Sequence, residues 1–421
     1  MDPDESVIAT YYVEGRGIPP LEAGIKIAEE ESIGTWTDVA TLTEWARDHL
    51  AAKVFSVKDQ RGNAGIVKIA FPIDLFDHRI GGIPNILSIV AGNLFGSGSL
   101  NNVRLLDAEF PKAMVKAFRG PKFGIEGVRR LVGTEGDRRP HLGTIIKPKV
   151  GLNPRQTADV AYNAAMGGVD FIKDDETLTS QWFNPLEHRV SCVMEALDRV
   201  REETGRRVLY AADITTEAHR VLDLADRALE NGANCLMVDV ITAGFSAVRA
   251  LAEDPSVNVP IHVHRCMHAA MTRNPRHGIS MLVIAKFVRL AGGDQLHTGT
   301  AVGKMGGIHK NVGEIQAINE FMRGDWHGLR PMFPVASGGM HPGIVHPNLR
   351  LLGSDIVIQA GGGIHGHPDG TVAGARAMTQ AIDAFMKGIP LERYAEDHPE
   401  LRRALDKWGY RFAEEAGSVR E

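Results

Sequence analysis

Lys147 and Lys149 stand two residues apart in LGTIIKPK (142–149), and Lys173, Asp175 and Glu176 crowd together in VDFIKDDE (169–176). On an extended chain, residues two apart share a face, so each run can aim its charged ends at one point. Aspartate and glutamate oxygens are hard ligands suited to Mg²⁺, an ion that takes few protein carboxylates and leaves places for substrate and water. Such a metal polarises a carbonyl and stabilises an enediolate, while a nearby lysine moves the proton. Lys173 is the odd member. It is cationic at neutral pH, and a cation repels a divalent metal.

Further along the chain come His264-Arg265, with His268 beyond, then His297, Ser337-Gly338-Gly339 and Gly361-Gly362-Gly363. Arginine grips phosphate or carboxylate bidentately, so Arg265 with His297 is a candidate anion site. Glycine runs expose backbone N–H groups that bind phosphate. Lys304, in AVGKMGG, lies in a glycine-rich stretch long enough to close over a ligand. Asp213 and Asp239 suit either the site or the cap of a following helix. Taken singly, each group has an ordinary reading: a solvated lysine pair, a core histidine, a turn glycine, a patch of surface charge. Their common placement decides otherwise.

That placement comes from eight short apolar runs: 142–149, 169–175, 208–214, 235–241, 260–265, 294–300, 332–339 and 355–363. Each is followed by a polar or glycine cluster and an amphipathic stretch. Near-continuous apolar strands alternating with helices indicate a parallel sheet buried on both faces. Eight in succession predict a (β/α)₈ TIM barrel, with a doubly wound open sheet as the alternative. In such barrels the active site lies at the C-terminal ends of the strands, where nearly all the groups named above fall. Residues 1–120 read as a separate α+β domain, with strands in IATYYVEG, AKVFSV, GIVKIAFP and VRLLDAEFP and helices in PPLEAGIKIAEEE and IPNILSIVAGN. Residues 121–421 carry the barrel and closing helices, and the fold class is α/β.

The bulk properties exclude several classes. The 421 residues are 24% charged and 43% hydrophobic, with a formal net charge of −5. No global positive field favours nucleic acid, and no apolar run is long enough to span a membrane. The first residues lack a signal-peptide pattern. Cys192, Cys235 and Cys266 have no paired spacing, which predicts reduced thiols in a cytoplasmic protein.

The blocks GTIIKPKVGL, GGVDFIKDDE, HVHRCMHAAMTRNPRHGISM, DQLHTGTAVGK, PVASGGMHPG and QAGGGIHGHPDG resemble the signature blocks of the ribulose-bisphosphate carboxylase/oxygenase (Rubisco) large-subunit superfamily. The resemblance runs from EEESIGTW (29–36) to KWGY (407–410). It implies a homodimer or higher homo-oligomer with shared active sites, in which Glu30, Thr35, Trp36 and Asn93 complete a neighbour's barrel mouth. It makes Lys147 the proton-transferring base, with Lys149 near the metal and His264 beside the metal and substrate hydroxyls. Lys173, Asp175 and Glu176 become the Mg²⁺ ligands, Lys173 after CO₂ has converted its neutral amine to a carbamate (N6-carboxylysine). Arg265, His297 and Ser337 would hold one end of a phosphorylated sugar. Thr35, Trp36, Gly338, Gly339, Gly361 and Gly362 would hold the other, and Lys304 becomes the mobile-loop lysine.

The chain departs from the carboxylase pattern at a few points. Met305-Gly306-Gly307 follows Lys304, EEESIGTW stands for the usual AESSTGTW, and SIVAGN has one residue more than SIVGN or SIAGN. Asp213 replaces a common Asn. These changes touch the closing loop and the inter-subunit edge. They favour a Rubisco-like (type IV) carboxy-lyase of carbohydrate metabolism, decarboxylating 3-oxo-isoapionate 4-phosphate or a close analogue. The alternative is a ribulose-1,5-bisphosphate carboxylase, followed by a transcarboxylase, hydrolase or isomerase on a similar sugar phosphate. A non-catalytic sugar-phosphate sensor would have no use for Lys147, Lys173 and Lys304 together.

Overall fold

The computed structural model describes residues 4–35, 37, 39–303 and 312–410. The chain forms two compact units: residues 1–119, 267–291 and 326–329 make the first, and 120–266, 292–325 and 330–421 the second.

The first unit is built on β1 (Ser6–Gly15), β2 (Lys53–Asp59), β3 (Ala64–Pro72) and β4 (Leu100–Glu109). β1 is the centre, antiparallel to both β3 and β4. Its alternation places Val7, Ala9, Tyr11 and Val13 fully inside, one apolar residue every second position, as a half-buried antiparallel strand requires. Helix Pro20–Glu30 turns Ala23, Ile27 and Ala28 inward, with Pro at its first position, where the missing N–H is no loss. A later segment joins this sheet: β10 (Gly278–Ile279) pairs in parallel with β4. Arg104 holds that segment by donating to the carbonyls of Thr272 (3.1 Å) and Asn274. Lys286 donates to Asp107 at 2.5 Å.

The second unit is a closed ring of eight parallel strands. In chain order they are β5 (His141–Ile145), β6 (Phe171–Lys173), β7 (Leu209–Asp213), β8 (Cys235–Asp239), β9 (Ile261–His264), β11 (Gln295–His297), β12 (Phe333–Ser337) and β13 (Val357–Ala360). The pairing of β9 with β11 and of β13 with β5 closes the ring and excludes the open sheet. Every predicted strand is present, and each is shorter than its apolar run. The polar residues at the run's end lift off into the loop above. Phe171, Leu209, Ala211, Met237, Phe333 and Val335 belong to one buried cluster, and burying each such large side chain stabilises the fold by about 1.5–3 kcal/mol. Between β5 and β6, helix Pro154–Met166 starts with a capping box, Asn153 and Gln156 each bonding the other's backbone.

The strand bases are closed by ion pairs. Arg139 grips Asp170 through two bonds of 2.6 and 2.7 Å, and Arg206 adds a third at 3.2 Å. Asp170 also accepts from the Leu142 amide at 2.9 Å. These cations hold the Asp170 carboxyl below its usual range against the opposing effect of burial. Among the described residues no helix is long and apolar enough to cross a membrane.

Candidate active site

Because the eight strands are parallel, their C-terminal ends share one mouth. The register there is set by pairing: Ile145 lies opposite Lys173, Lys173 opposite Ala211, and Asp239 opposite His264. Lys147 and Lys149 follow β5 in the loop above. Lys147 Nζ donates to Asp175 Oδ2 at 2.7 Å, and Lys149 Nζ is 3.6 Å from Asp175 Oδ1 and 3.9 Å from Glu176 Oε1. Lys173 ends β6 and is fully buried. Its Nζ donates to the Asp174 carbonyl at 2.7 Å and reaches Glu176 Oε2 at 3.5 Å. Three ammonium groups therefore surround two carboxylates.

The charges leave a mark on Glu176. Burial alone would raise its carboxyl, but Lys173, His264 and Lys149 together pull it down to about 2. Asp174, between the candidate ligands, points the other way. Its carboxylate accepts from Tyr210 Oη (2.6 Å), Arg189 Nε (3.1 Å) and the Asp213 amide (3.0 Å). The DDE run is thus one buried anchor followed by two groups of the mouth.

His264 ends β9. Its Nδ1 lies 2.7 Å from Asp239 Oδ1, and its Nε2 is 3.8 Å from Glu176. Asp239, left open by the sequence, orients this histidine. Asp213 is fully buried. It accepts from the backbone and hydroxyl of Thr215 through Oδ1, while Oδ2 has no hydrogen-bond partner. Burial first, then Asp239, pushes its carboxyl well above the usual range.

His297 ends β11, with Nε2 2.8 Å from His262 Nε2 and Nδ1 2.6 Å from Ser337 Oγ. Burial holds both histidines well below the usual imidazole range, so both are neutral. The buried His262 is a member of this chain that sequence reasoning missed. Only its place two residues before His264, on the same strand face, could have signalled it. Arg265 packs over Gly299, where a Cβ would meet its Nη2 at 2.9 Å, and enclosure lowers the guanidinium to about 10.

Gly339, Gly361 and Gly362 line a cavity of about 740 Å³ with Gly303, Met340, His341 and Trp408 among its other walls. Gly338 and Gly339 adopt φ of 118° and 74°, a region open to glycine at no steric cost. Gly363 admits no side chain, since a Cβ would meet the Met340 carbonyl at 2.1 Å. Lys147 Cε would lie 3.4 Å from a Cβ on Gly361, so the base candidate runs between the acidic pair and the glycine cradle.

In the first unit, Glu30 closes helix Pro20–Glu30, Thr35 is exposed beyond it, and Asn93 opens the short turn Asn93–Gly96. Trp36 and Lys304 lie outside the described residues.

A metal needs several donor side chains converging on one point. No group of three or more His, Cys, Asp or Glu side chains among the described residues is arranged to hold one. Asp175 and Glu176 supply two hard oxygens, and the third position of the cluster is the Lys173 amine. A carbamate there completes an oxygen set suited to Mg²⁺, so the residues fit.

Residues 124–408 match the ribulose bisphosphate carboxylase large chain, catalytic domain, and residues 1–114 match its N-terminal domain. The chain belongs to the Rubisco large-chain family, whose enzymes use Mg²⁺ and a carbamylated lysine. It is 47% identical over 417 residues to the ribulose bisphosphate carboxylase of Methanocaldococcus jannaschii, covering 96% of each chain. It is 45% identical over 407 residues to that of Pyrococcus abyssi, covering 96% of this chain and 94% of the relative. The octameric Rubisco of Pyrococcus horikoshii superposes with a TM-score of 0.90 at 44% identity, over 97% of this chain and 94% of that one. The dimeric archaeal Rubisco of Hyperthermus butylicus superposes with 0.88 at 40% identity, over 98% and 97%.

These relatives correct one expectation. The type IV reading, a decarboxylase of 3-oxo-isoapionate 4-phosphate in carbohydrate metabolism, is overturned by relatives that are named carboxylases over nearly the whole chain. The physical reason is plain. The departures behind that reading, in Met305-Gly306-Gly307, EEESIGTW, SIVAGN and Asp213, leave Lys147, Lys173, Asp175, Glu176 and His264 in place. They carry no information on whether the enediolate gains or loses CO₂.

Proposed function

We propose that this chain is a Mg²⁺-dependent ribulose bisphosphate carboxylase that adds CO₂ to an enediolate. The observation that carries the reading is the complete lysine–carboxylate cluster beside a glycine cradle, in a chain 47% identical to a named carboxylase. Lys147, 2.7 Å from Asp175 and bordering the cradle, takes the proton from the carbon next to the substrate carbonyl. His264, held by Asp239, faces the substrate hydroxyls. The glycines after β12 and β13 bind one phosphate through backbone N–H groups. Arg265, His297 and Ser337 bind the other. Asp175, Glu176 and carbamylated Lys173 would hold a Mg²⁺ ion, which would supply electrostatic stabilisation of the enediolate. Lys149 lies at the rim, where its charge offsets that of the ligands.

The working form is a homodimer or larger assembly, in which Glu30, Thr35, Trp36 and Asn93 complete a partner's mouth. Dimeric and octameric relatives support this. Cys192, Cys235 and Cys266 form no disulfide among the described residues, which supports a reducing, cytoplasmic setting. The test is direct. Purified protein, incubated with Mg²⁺ and labelled bicarbonate, should convert ribulose 1,5-bisphosphate to labelled 3-phosphoglycerate. Absence of label in the product would refute the proposal.

A further inference from the structure

Two segments lie far apart in the chain: Glu31, just after helix Pro20–Glu30, and the turn Asn93–Gly96. They meet in the first unit. Glu31 is 7% exposed, an unusual place for a carboxylate. Its Oε1 accepts from the Leu94 amide at 2.7 Å and its Oε2 from the Gly92 amide at 3.2 Å. Burial raises its carboxyl, and the Leu94, Gly92 and Asn93 amides oppose that. The Gly92 and Leu94 N–H groups thus converge on one side chain, an anion-binding contact of the kind backbones form at turns.

The neighbouring residues are shaped to this contact. A Cβ on Gly92 would stand 2.5 Å from Glu31 Oε2, so the carboxylate reaches the amides only because position 92 has no side chain. Tyr11 Oη donates to the Val90 carbonyl at 2.7 Å, fixing the end of helix Gly82–Val90. Leu94 is buried on the far side.

We propose that Glu31 is a positioning residue whose carboxylate holds Asn93, and through the adjoining backbone Glu30, in the arrangement the reaction uses. This rests on the proposed carboxylase function, in which Glu30 and Asn93 contact substrate.

The full-length protein with Glu31→Ala and Glu31→Gln tests it by hydrogen exchange, steady-state kinetics and Mg²⁺ binding in bicarbonate. In Glu31→Ala, exchange of the Gly92–Leu94 amides should quicken by about ten-fold, the scale of a lost hydrogen bond to a charged group. Turnover per Mg²⁺-binding chain should fall by about ten-fold or more, with KM for the bisphosphate changed much less, because small misplacements act on the reacting geometry. Counting Mg²⁺-binding chains removes any loss of folded barrels from the comparison. Glu31→Gln keeps the length and one acceptor oxygen, so it should recover most of the turnover. Unchanged amide exchange in Glu31→Ala would overturn the proposal. So would unchanged turnover per Mg²⁺-binding chain. A wild-type protein that fixes no CO₂, with the exchange effect intact, would refute the carboxylase function and leave the Glu31 clamp standing.

Discussion

Mg²⁺ binding to this chain should depend on CO₂, and the size of that dependence follows from Lys173. A divalent ion held by Asp175 and Glu176 at about 2.1 Å from their oxygens would sit roughly 4 Å from an ammonium on Lys173, whose Nζ is 3.5 Å from Glu176 Oε2. At an effective dielectric of about 20, each unit-charge pair at that distance is worth about 4 kcal/mol, so repulsion from a double charge approaches about 8 kcal/mol. Lys147 and Lys149, 31% and 55% exposed at their side chains, can swing aside. Lys173 is fully buried and tied to the Asp174 carbonyl at 2.7 Å, so it cannot. Carbamylation removes the repulsion and adds an oxygen ligand. Allowing half the Coulomb figure for relaxation leaves about 4 kcal/mol, or about three powers of ten in affinity. Calorimetric titration with Mg²⁺ in CO₂-free buffer and in bicarbonate measures this. The affinity gain in bicarbonate should be about a thousand-fold, should grow with pH because the neutral amine is the reacting form, and should vanish in Lys173→Ala. Equal Mg²⁺ affinity with and without CO₂ in the wild type would refute the reasoning.

Other outcomes follow from neighbouring contacts. Asp239→Asn removes the anion behind His264, and turnover should fall by about 10- to 100-fold, the usual effect of losing an orienting partner; a kinetic assay showing less than a two-fold change would remove Asp239 from the machinery. Gly363→Ala should weaken binding of the sugar bisphosphate, read as a rise in KM, because the new Cβ would meet the Met340 carbonyl at 2.1 Å and displace the cradle. Asp170→Asn should lower stability at neutral pH by about 2–4 kcal/mol in urea unfolding, since Arg139 and Arg206 lose their common partner. The Asp170 carboxyl is depressed in the folded state. Its contribution is therefore complete above the unfolded value of about 3.9 and is lost as pH falls through the folded value, so the gap between mutant and wild type should close in strong acid.

The barrel was legible because each strand is buried on both faces and must be written as an unbroken apolar run. Strand ends were less so: VDFIKDD yields only Phe171–Lys173 as strand, since a charged residue ends the ladder wherever it turns into the mouth. β10 left no trace, because Gly278-Ile279 is too short to show a period. The acid–lysine cluster could be read from strand-end position alone. Its internal assignments could not. That Asp174 turns to Arg189 and Tyr210, that Asp239 rather than Asp213 meets His264, and that Glu31 reaches Leu94 all depend on cross-strand register and turn geometry, which the sequence does not encode locally. The direction of the CO₂ chemistry is not legible for a related reason. The departures that suggested a decarboxylase leave Lys147, Lys173, Asp175, Glu176 and His264 in place.

β6 shows how the molecule divides its obligations. Asp170, just before the strand, is locked by two arginines and an amide, while Lys173, three residues later, lies beside the Asp174 carbonyl and Glu176 and is the lysine proposed to take the carbamate. At about 3.3 Å per residue, roughly 10 Å of backbone separates the ion-paired base from the mouth. Heat tolerance and reactivity are thus adjustable at opposite ends of the same strand. Changes at the mouth that cost stability can be offset by strengthening the Arg139–Asp170–Arg206 contacts beneath.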